Sequence, residues 1–239
     1  MTDDPTPSRI FYALAGAVAL AFVIVTEPPN AAESAVVIPA PAFDVSVQTE
    51  GLQKAILAGG CFWGVQAVFQ HVQGVSQAVS GYSGGTSATA NYDAVSNGIT
   101  NHAETVEVTF DPKVISYGRI LQIFFSVAHN PTELDQQGPD IGRHYRSNIF
   151  YTSDEQKRVA EAYIAQLDRL KVFNDPIVTR LDKFEAFYPA EDDHQDYATR
   201  YPDNPYIMLY DLPKIGSLRR LLPDVYRPEP VTVAASAGK

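Results

Sequence analysis

Residues 59–64 read GGCFWG, and Cys61 in this stretch is the only cysteine among the 239 residues of the chain. The stretch follows a short apolar run, KAILA at 54–58, which predicts a buried β-strand. It precedes VQAVFQHV at 65–72, whose apolar residues recur at helical spacing. Cys61 is therefore predicted to lie at the junction between a strand and the start of a helix.

A lone cysteine at such a junction has two interpretations, an inert apolar residue of the core or a nucleophile. The unpaired N–H groups at a helix N-terminus favour a thiolate, which is the reactive form. Gly59 and Gly60 allow a sharp turn and the close approach of a ligand to the backbone. Phe62 and Trp63 are suited to form the walls of an apolar pocket. We therefore expect a catalytic or redox role for Cys61, with an inert core cysteine as the alternative.

The composition excludes several classes of function. The formal net charge of −10 argues against nucleic acid as a partner, because phosphate binding requires a clustered basic surface. A single cysteine excludes an internal disulfide, a Cys-rich zinc site and a thioredoxin-type CxxC motif. With 45% apolar and 19% charged residues, the chain has the composition of an ordinary globular protein.

The N-terminal region has the pattern of a targeting segment. Residues 10–25 read IFYALAGAVALAFVIV, with Arg9 before them and prolines after them. This length suits a long signal-peptide core or a short membrane anchor, and the pattern leaves cleavage and anchoring open. A buried globular helix is the third interpretation, and the proline-rich stretch that follows disfavours it. We expect an exported, periplasmic protein.

The chain divides by composition into four segments. We predict a signal peptide or anchor (1–26), a Pro/Ala-rich linker (27–50), one folded domain (51–223) and a disordered tail (224–239). Strands and helices interleave in the domain, which predicts an α/β (α+β) fold. Strands are predicted at 54–58, 75–82, 104–110, 147–152 and 176–181, and helices at 65–72, from Ser116, from Ser153 to about Lys171 and at 191–201.

Two long polar loops, 83–101 and 129–146, favour a functional site, because structureless loops of this length are otherwise uncommon in compact domains. A proton donor is needed if a thiol attacks a substrate and a group leaves, and Glu104 at the start of an alternating strand is a candidate. A solvated strand end is its alternative. Four tyrosines and Asp140 lie in or near the loops, and simple packing with a hydrogen-bonded hydroxyl is the alternative for each tyrosine: Tyr82, Tyr92, Tyr145 and Tyr197.

Two patterns imitate metal sites. His102 and Glu104 form the H-x-E of zinc deaminases, but the PCxxC that those enzymes also need is absent. Asp192, Asp193 and His194 stand together, and the simpler interpretation is the charged start of a helix. We predict no metal and no cofactor.

Six stretches resemble, in order, the sequence blocks of the peptide methionine sulfoxide reductase A family. The resemblance covers about residues 51–222, and several ordered blocks make it specific. It implies a two-layer α/β sandwich with a mixed sheet. The stretches are GCFWG (60–64), GYSGG (81–85), NYDAV (91–95), NHAETVEVTFDP (101–112), QQGPDIGRHYRS (136–147) and YPAEDDHQDY (188–197).

The resemblance implies a role for each matching residue. Cys61 matches the nucleophile, and Glu104 matches the acid that protonates the sulfoxide oxygen. Tyr92 and Tyr145 match the hydroxyls that bind this oxygen. Five further positions match the substrate pocket: Phe62 and Trp63 hold the S-methyl group, Asp140 fixes the substrate's backbone amine or amide, and His194 and Tyr197 lie at the pocket rim.

The implied reaction is reduction of the S epimer of methionine sulfoxide, in peptides and as the free amino acid, with a sulfenic acid forming on Cys61. An apolar pocket would keep Glu104 protonated near neutral pH. Many family members carry further cysteines near the C-terminus that resolve the sulfenic acid as a disulfide, and this chain has none. The sulfenic acid must therefore be reduced by an external thiol, which is thioredoxin-like, glutaredoxin-like or a small molecule. The expected substrates are oxidised proteins and peptides, and the expected oligomeric state is a monomer.

Two rival functions predict different residues. A non-catalytic binding module that kept the fold should have lost at least one core site residue, yet Cys61, Glu104, Tyr92, Asp140 and Tyr145 are all present. A thiol peroxidase would need an arginine near the thiol, and no motif supplies one.

Overall fold

The computed structural model of the protein describes residues 35–44 and 51–236. The predicted signal peptide or anchor (1–26), including the apolar stretch 10–25, lies outside the described residues, as does most of the predicted linker. No helix in the described ranges is both long enough and apolar enough to cross a bilayer.

A mixed β-sheet forms the centre of the domain. Eight strands are present in the described part of the chain: β1 (Gln53–Ala58), β2 (Val75–Ser83), β3 (Ala103–Phe110), β4 (Gln136–Gln137), β5 (Asp140–Ile141), β6 (Asn148–Tyr151), β7 (Arg180–Lys183) and β8 (Phe187–Pro189). Six of them form one sheet in the order β7-β6-β1-β3-β2-β8, in which only β6 and β7 are parallel, while β4 and β5 pair separately. The predicted α/β class with a mixed sheet is confirmed.

Helices flank this sheet. They are α1 (Phe62–Gln70), α2 (Tyr92–Ser96), α3 (Tyr117–Ile123), α4 (Asp154–Leu170), α5 (Tyr197–Arg200), α6 (Leu212–Leu221) and α7 (Val233–Ser236). A π-helical turn, Phe124–Ala128, continues α3, and another, Ile207–Asp211, precedes α6. Burial of apolar side chains between these helices and the sheet is the main stabilising contribution, and Leu57, Phe69 and Leu121 are each fully buried there.

The alternation of β3 determines which residues reach the core. Val106, Val108 and Phe110 are fully buried, as the period of two predicts. Glu107, on the opposite face, forms an ion pair with Lys54 at 2.8 Å. Because β1 and β3 are antiparallel, the end of β1 lies beside the start of β3. This pairing brings the segment after β1 close to the first residues of β3.

Side-chain caps set the ends of two predicted helices. The Ser116 hydroxyl accepts a hydrogen bond from the Arg119 N–H at 3.1 Å, and the Ser153 hydroxyl accepts one from the Gln156 N–H at 3.2 Å. The Gln156 side chain accepts from the Thr152 N–H rather than from the capping serine itself. The two helices therefore begin where the sequence predicts.

Two element predictions were wrong in detail, and one strand of the sheet was not predicted. The strand predicted at 176–181 is Arg180–Lys183, because its register follows pairing with β6. The helix predicted at 191–201 is a 3₁₀ turn (Asp192–His194) followed by α5, with Asp196 between them in the left-handed region at φ 56°. The short strand β8 was missed, because three residues give no periodic signal.

The described parts of both flanking segments are held against the domain. The Val36 N–H donates to the Ser126 carbonyl at 3.0 Å, and the Tyr163 hydroxyl donates to the Pro39 carbonyl at 2.7 Å. This part of the predicted linker therefore forms specific contacts, which its low content of large side chains did not indicate.

The chain after residue 223 also contacts the domain, in contrast to the predicted disordered tail. The Gln73 N–H donates to the Val225 carbonyl at 2.7 Å, and the Arg227 N–H donates to the His71 carbonyl at 2.8 Å. The Asp196 carboxylate accepts from the backbone N–H groups at the start of α7. These backbone and cap partners lie far away in sequence, so composition alone could not show them.

Candidate active site

Cys61 occupies the turn between β1 and α1, as predicted. It is the N-cap residue of α1, and 8% of its surface is exposed. Gly60 has φ +87°, and a Cβ built there would lie 2.6 Å from the Gln137 Cβ. A Cβ on Gly59 would lie 2.8 Å from a ring carbon of Phe124. Gly60 is therefore needed for the backbone conformation of the turn, and both glycines are needed for the close approach of neighbouring side chains.

The position of Cys61 does not favour a thiolate in the free protein, which corrects the expectation from the helix N-terminus. Burial raises the pKa of the Cys61 thiol well above its ordinary value, and the nearby carboxyl groups of Glu104, Asp211 and Asp140 raise it further. A hydrogen bond from the Trp63 N–H acts in the opposite direction and is smaller. The thiol is thus protonated near neutral pH.

Glu104 lies beside Cys61, at the start of β3. Its Oε2 accepts a hydrogen bond from the Phe62 N–H at 3.0 Å, and the side chain is buried. Burial raises the pKa of the Glu104 carboxyl to about 8, and the Phe62 N–H partly opposes this rise. Glu104 is therefore protonated near neutral pH, as expected for a proton donor, rather than a solvated strand end.

A cluster of aromatic rings forms around the first residues of α1, directly after Cys61. The Trp63 ring stacks on Tyr197 with centroids 3.8 Å apart and an interplanar angle of 7°. The Trp63 Nε1–H donates to His194 Nδ1 at 3.3 Å, and the Tyr92 ring stacks on the same imidazole at 4.1 Å. Phe62 lies 5.6 Å from that imidazole between ring centroids. His194 thus links the aromatic residues of the predicted pocket.

Glu191 is a site-forming residue that sequence reasoning missed. Its two carboxylate oxygens accept from the Tyr82 hydroxyl at 2.9 Å and from the Tyr92 N–H at 2.9 Å. These hydrogen bonds help to lower the pKa of the Glu191 carboxyl, so it is ionised near neutral pH. The start of the loop helix α2 is fixed by this contact. The available signal was the position of Glu191 directly before Asp192, at the start of the helix predicted at 191–201.

Tyr145 and Asp140 complete the predicted group of residues. Both lie in the loop 129–146, and the electrostatic influence of Glu104, Asp140 and Cys61 reaches the Tyr145 phenol. Burial raises the phenol pKa above its ordinary value, and these charges raise it further. Asp140 lies with Cys61 in one pocket. That pocket is lined by Cys61, Gln137, Gly138, Pro139, Asp140, Tyr206, Tyr210 and Lys214.

The C-terminal segment therefore contributes a wall of the site. Three of its residues line the pocket. Tyr206 directly precedes the second π-helical turn, Tyr210 lies within that turn, and Lys214 lies in α6. From the sequence, the only notable feature of this segment is that it contains no cysteine. Spacing alone gave no signal, because these residues become neighbours of Cys61 only through packing of α6 against α1.

His102 is not part of the site, although it stands two residues before Glu104. Its Nε2 lies 3.0 Å from the Thr86 carbonyl, and the ring is fully buried. Within the described ranges, no three His, Cys, Asp or Glu side chains are grouped to hold a metal ion. The H-x-E pattern is therefore a structural feature of the loop.

Comparisons with known proteins show which proteins this chain resembles. The family model described as peptide methionine sulfoxide reductase matches residues 53–221. The chain is 54% identical over 188 residues to peptide methionine sulfoxide reductase MsrA 2 of Mesorhizobium japonicum, covering 79% of this chain and 96% of that protein. It is 52% identical to peptide methionine sulfoxide reductase MsrA 2 of Synechocystis, covering 79% and 89%.

Two solved structures of similar proteins have the same fold. Methionine sulfoxide reductase A of Corynebacterium diphtheriae has a TM-score of 0.54 at 27% identity, covering 74% of this chain and 91% of that one. Reduced Mxr1 from Saccharomyces cerevisiae has a TM-score of 0.57 at 30% identity, covering 64% and 87%.

Proposed function

The chain belongs to the peptide methionine sulfoxide reductase family, and we propose that it reduces methionine sulfoxide in oxidised proteins and peptides and thereby repairs them. The observation that supports this most directly is the pairing of Cys61 with a protonated acid. Glu104 accepts from the N–H of the residue after Cys61, and its pKa of about 8 keeps it protonated. A nucleophile and a proton donor thus lie next to each other at the start of α1.

The proposed chemistry needs both groups in turn. The sulfoxide oxygen accepts a proton from Glu104, which makes the sulfur electrophilic, and Tyr92 and Tyr145 donate hydrogen bonds to the same oxygen. The Cys61 sulfur bonds to the substrate sulfur as its own proton passes to the Glu104 carboxylate. The hydroxyl then moves to Cys61 and the sulfur–sulfur bond breaks. Methionine leaves reduced, Cys61 is oxidised to a sulfenic acid, and Glu104 is again protonated.

The walls of the site support selection of one epimer. The substrate methyl group occupies the aromatic cage of Phe62 and Trp63, the oxygen faces Glu104, and the sulfur faces Cys61. These three constraints leave one direction for the remainder of the methionine side chain. Since the two epimers exchange the lone pair and a substituent at sulfur, only one of them fits these constraints. The family resemblance implies that it is the S epimer.

An external thiol is the proposed reductant. The chain has no second cysteine, so the sulfenic acid cannot form an internal disulfide. A thiolate attacks the Cys61 sulfur, water leaves, and a second thiol releases Cys61 from the mixed disulfide. A thioredoxin-like or glutaredoxin-like dithiol supplies both sulfur atoms. We also propose that the acting unit is a monomer.

The proposed location is the periplasm, on the basis of the apolar run at 10–25 with Arg9 before it. Cleavage and anchoring remain the two forms of this proposal. The mass of the mature protein distinguishes them: a cleaved protein lacks the first 26 or more residues, and an anchored protein retains them and fractionates with membranes. An intact chain in the soluble cytoplasmic fraction would contradict export.

The function is tested by reductase assays with separated epimers. Methionine S-sulfoxide in an N-acetylated, C-amidated form should be reduced with dithiothreitol as the thiol, and the R epimer should not. Cys61→Ser should abolish turnover. Equal reduction by wild type and Cys61→Ser would contradict the enzyme proposal, and equal use of both epimers would contradict only the assignment of the S form.

A further inference from the structure

Tyr206 joins two parts of the site that lie far apart in sequence. Its hydroxyl donates a hydrogen bond to Asp140 Oδ2, across 66 positions in the chain. Both residues line the pocket that contains Cys61. The Tyr206 N–H donates to Asn204 Oδ1 at 2.9 Å, which fixes the backbone just before the second π-helical turn.

The ring of Tyr206 is also held in place. It meets Trp63 edge-on, with centroids 6.0 Å apart and an interplanar angle of 85°, and it lies 5.0 Å from the Tyr210 ring. Trp63 is in turn stacked on Tyr197. The phenol therefore has little freedom, and its hydroxyl is directed at Asp140.

We propose that Tyr206 is a positioning residue, which fixes the Asp140 carboxylate so that it binds the backbone amide N–H of an oxidised methionine residue. This assignment rests on the proposed function. It explains how the enzyme distinguishes a peptide-bound methionine sulfoxide from a sulfoxide that has no backbone amide. One carboxylate oxygen accepts from Tyr206, and the other is left to accept from the substrate amide.

The charge of Asp140 depends on the same contact. Burial raises the pKa of the Asp140 carboxyl, while the hydrogen bond from Tyr206 and the charge of Lys214 lower it. Only an ionised carboxylate offers all its oxygen lone pairs to N–H donors. Removing the tyrosine hydroxyl would therefore both free the carboxyl to rotate and raise the pH at which it becomes protonated.

The test is Tyr206→Phe, which keeps the ring against Trp63 and removes only the hydroxyl. The KM for N-acetyl-methionine S-sulfoxide N-methylamide should rise about tenfold, the size expected for losing a hydrogen bond to a charged group, with kcat within about twofold. Dimethyl sulfoxide keeps the methyl and sulfoxide groups and has no amide, so its kcat/KM should be unchanged. The acid limb of kcat/KM should move to higher pH for the amide substrate alone.

Tyr163→Phe is the matched control. It also removes a buried tyrosine hydrogen bond, to the Pro39 carbonyl at 2.7 Å, outside the site. It should lower the unfolding midpoint and leave both KM values unchanged. In an Asp140→Asn background, Tyr206→Phe should have no further effect on KM.

Three results would overturn the assignment. They are an unchanged KM for the amide substrate, an equal loss with dimethyl sulfoxide, and a full additional effect of Tyr206→Phe in the Asp140→Asn background. A wild-type protein that reduces neither sulfoxide would contradict the proposed function itself, and this assignment would fall with it.

Discussion

Replacing Glu104 with glutamine should make the protein more stable at neutral and alkaline pH while nearly abolishing its activity. Glutamine retains an oxygen that accepts from the Phe62 N–H, and it cannot ionise. The carboxyl pKa is about 8 in the folded protein, whereas the ordinary pKa of glutamate is 4.5. The raised value means that the folded state resists the ionisation that the unfolded chain undergoes freely.

The sign and size follow from linkage between proton binding and folding. Because the folded pKa is the higher one, the wild-type protein loses stability as the pH rises from about 4.5 towards about 8. The integrated difference is about 3 kcal/mol near pH 7 and reaches about 5 kcal/mol above both pKa values. The unfolding free energy of Glu104→Gln minus that of wild type should therefore increase by about 3 kcal/mol between about pH 4 and about pH 7.

Urea unfolding at a series of pH values measures this difference directly. Glu107→Gln is the matched control, since Glu107 lies on the same strand and pairs with exposed Lys54 at 2.8 Å. It should change the unfolding free energy by no more than about 1 kcal/mol. If the wild-type and Glu104→Gln curves run parallel over this pH range, Glu104 is not a buried neutral acid and the proposed proton donor is wrong.

Three further outcomes are expected. The kcat/KM for a peptide sulfoxide should fall as the pH rises through about 8, because Glu104 then loses the proton it must donate; a rate still rising near pH 10 would contradict this role. Gly60→Ala should lower the unfolding free energy by about 1–3 kcal/mol, given φ +87° and a Cβ 2.6 Å from the Gln137 Cβ; an unchanged urea midpoint would contradict the turn. Glu191→Gln should lower kcat/KM about tenfold by weakening two hydrogen bonds to charged oxygen, whereas exposed Asp192→Asn should not; equal activities would exclude the positioning of α2.

The central part of the fold was predictable because its signals are local. The alternation of apolar and polar residues in β3 shows which of its faces is buried, and the apolar run before Cys61 identifies β1 as a buried strand. Neither signal depends on distant parts of the chain. The caps at Ser116 and Ser153 likewise act within one turn of the helix. The short strand β8 has three residues and is defined by pairing with β2, so no local pattern could reveal it.

The candidate site divides in the same way. Cys61 stood out as the single thiol at a strand–helix junction, and family resemblance placed Glu104 beside it. The thiol pKa was misjudged, because the helix N-terminus is a local feature while burial and nearby carboxyl groups are tertiary ones. Tyr206 and Glu191 were missed for the same reason, since their partners lie 66 and about a hundred positions away.

The most direct test of the account is a single turnover without reductant. Reduced protein is mixed with excess N-acetylated, C-amidated methionine S-sulfoxide, and the methionine product, the free thiol and the intact mass are measured. One equivalent of methionine should form per chain, the Cys61 thiol should disappear, and the protein should gain the mass of one oxygen atom. Dimedone should then react with the sulfenic acid to form a thioether at Cys61, with loss of that oxygen as water. Cys61→Ser should form no product. Methionine formed while the thiol remains intact would contradict the claim that Cys61 itself takes the oxygen.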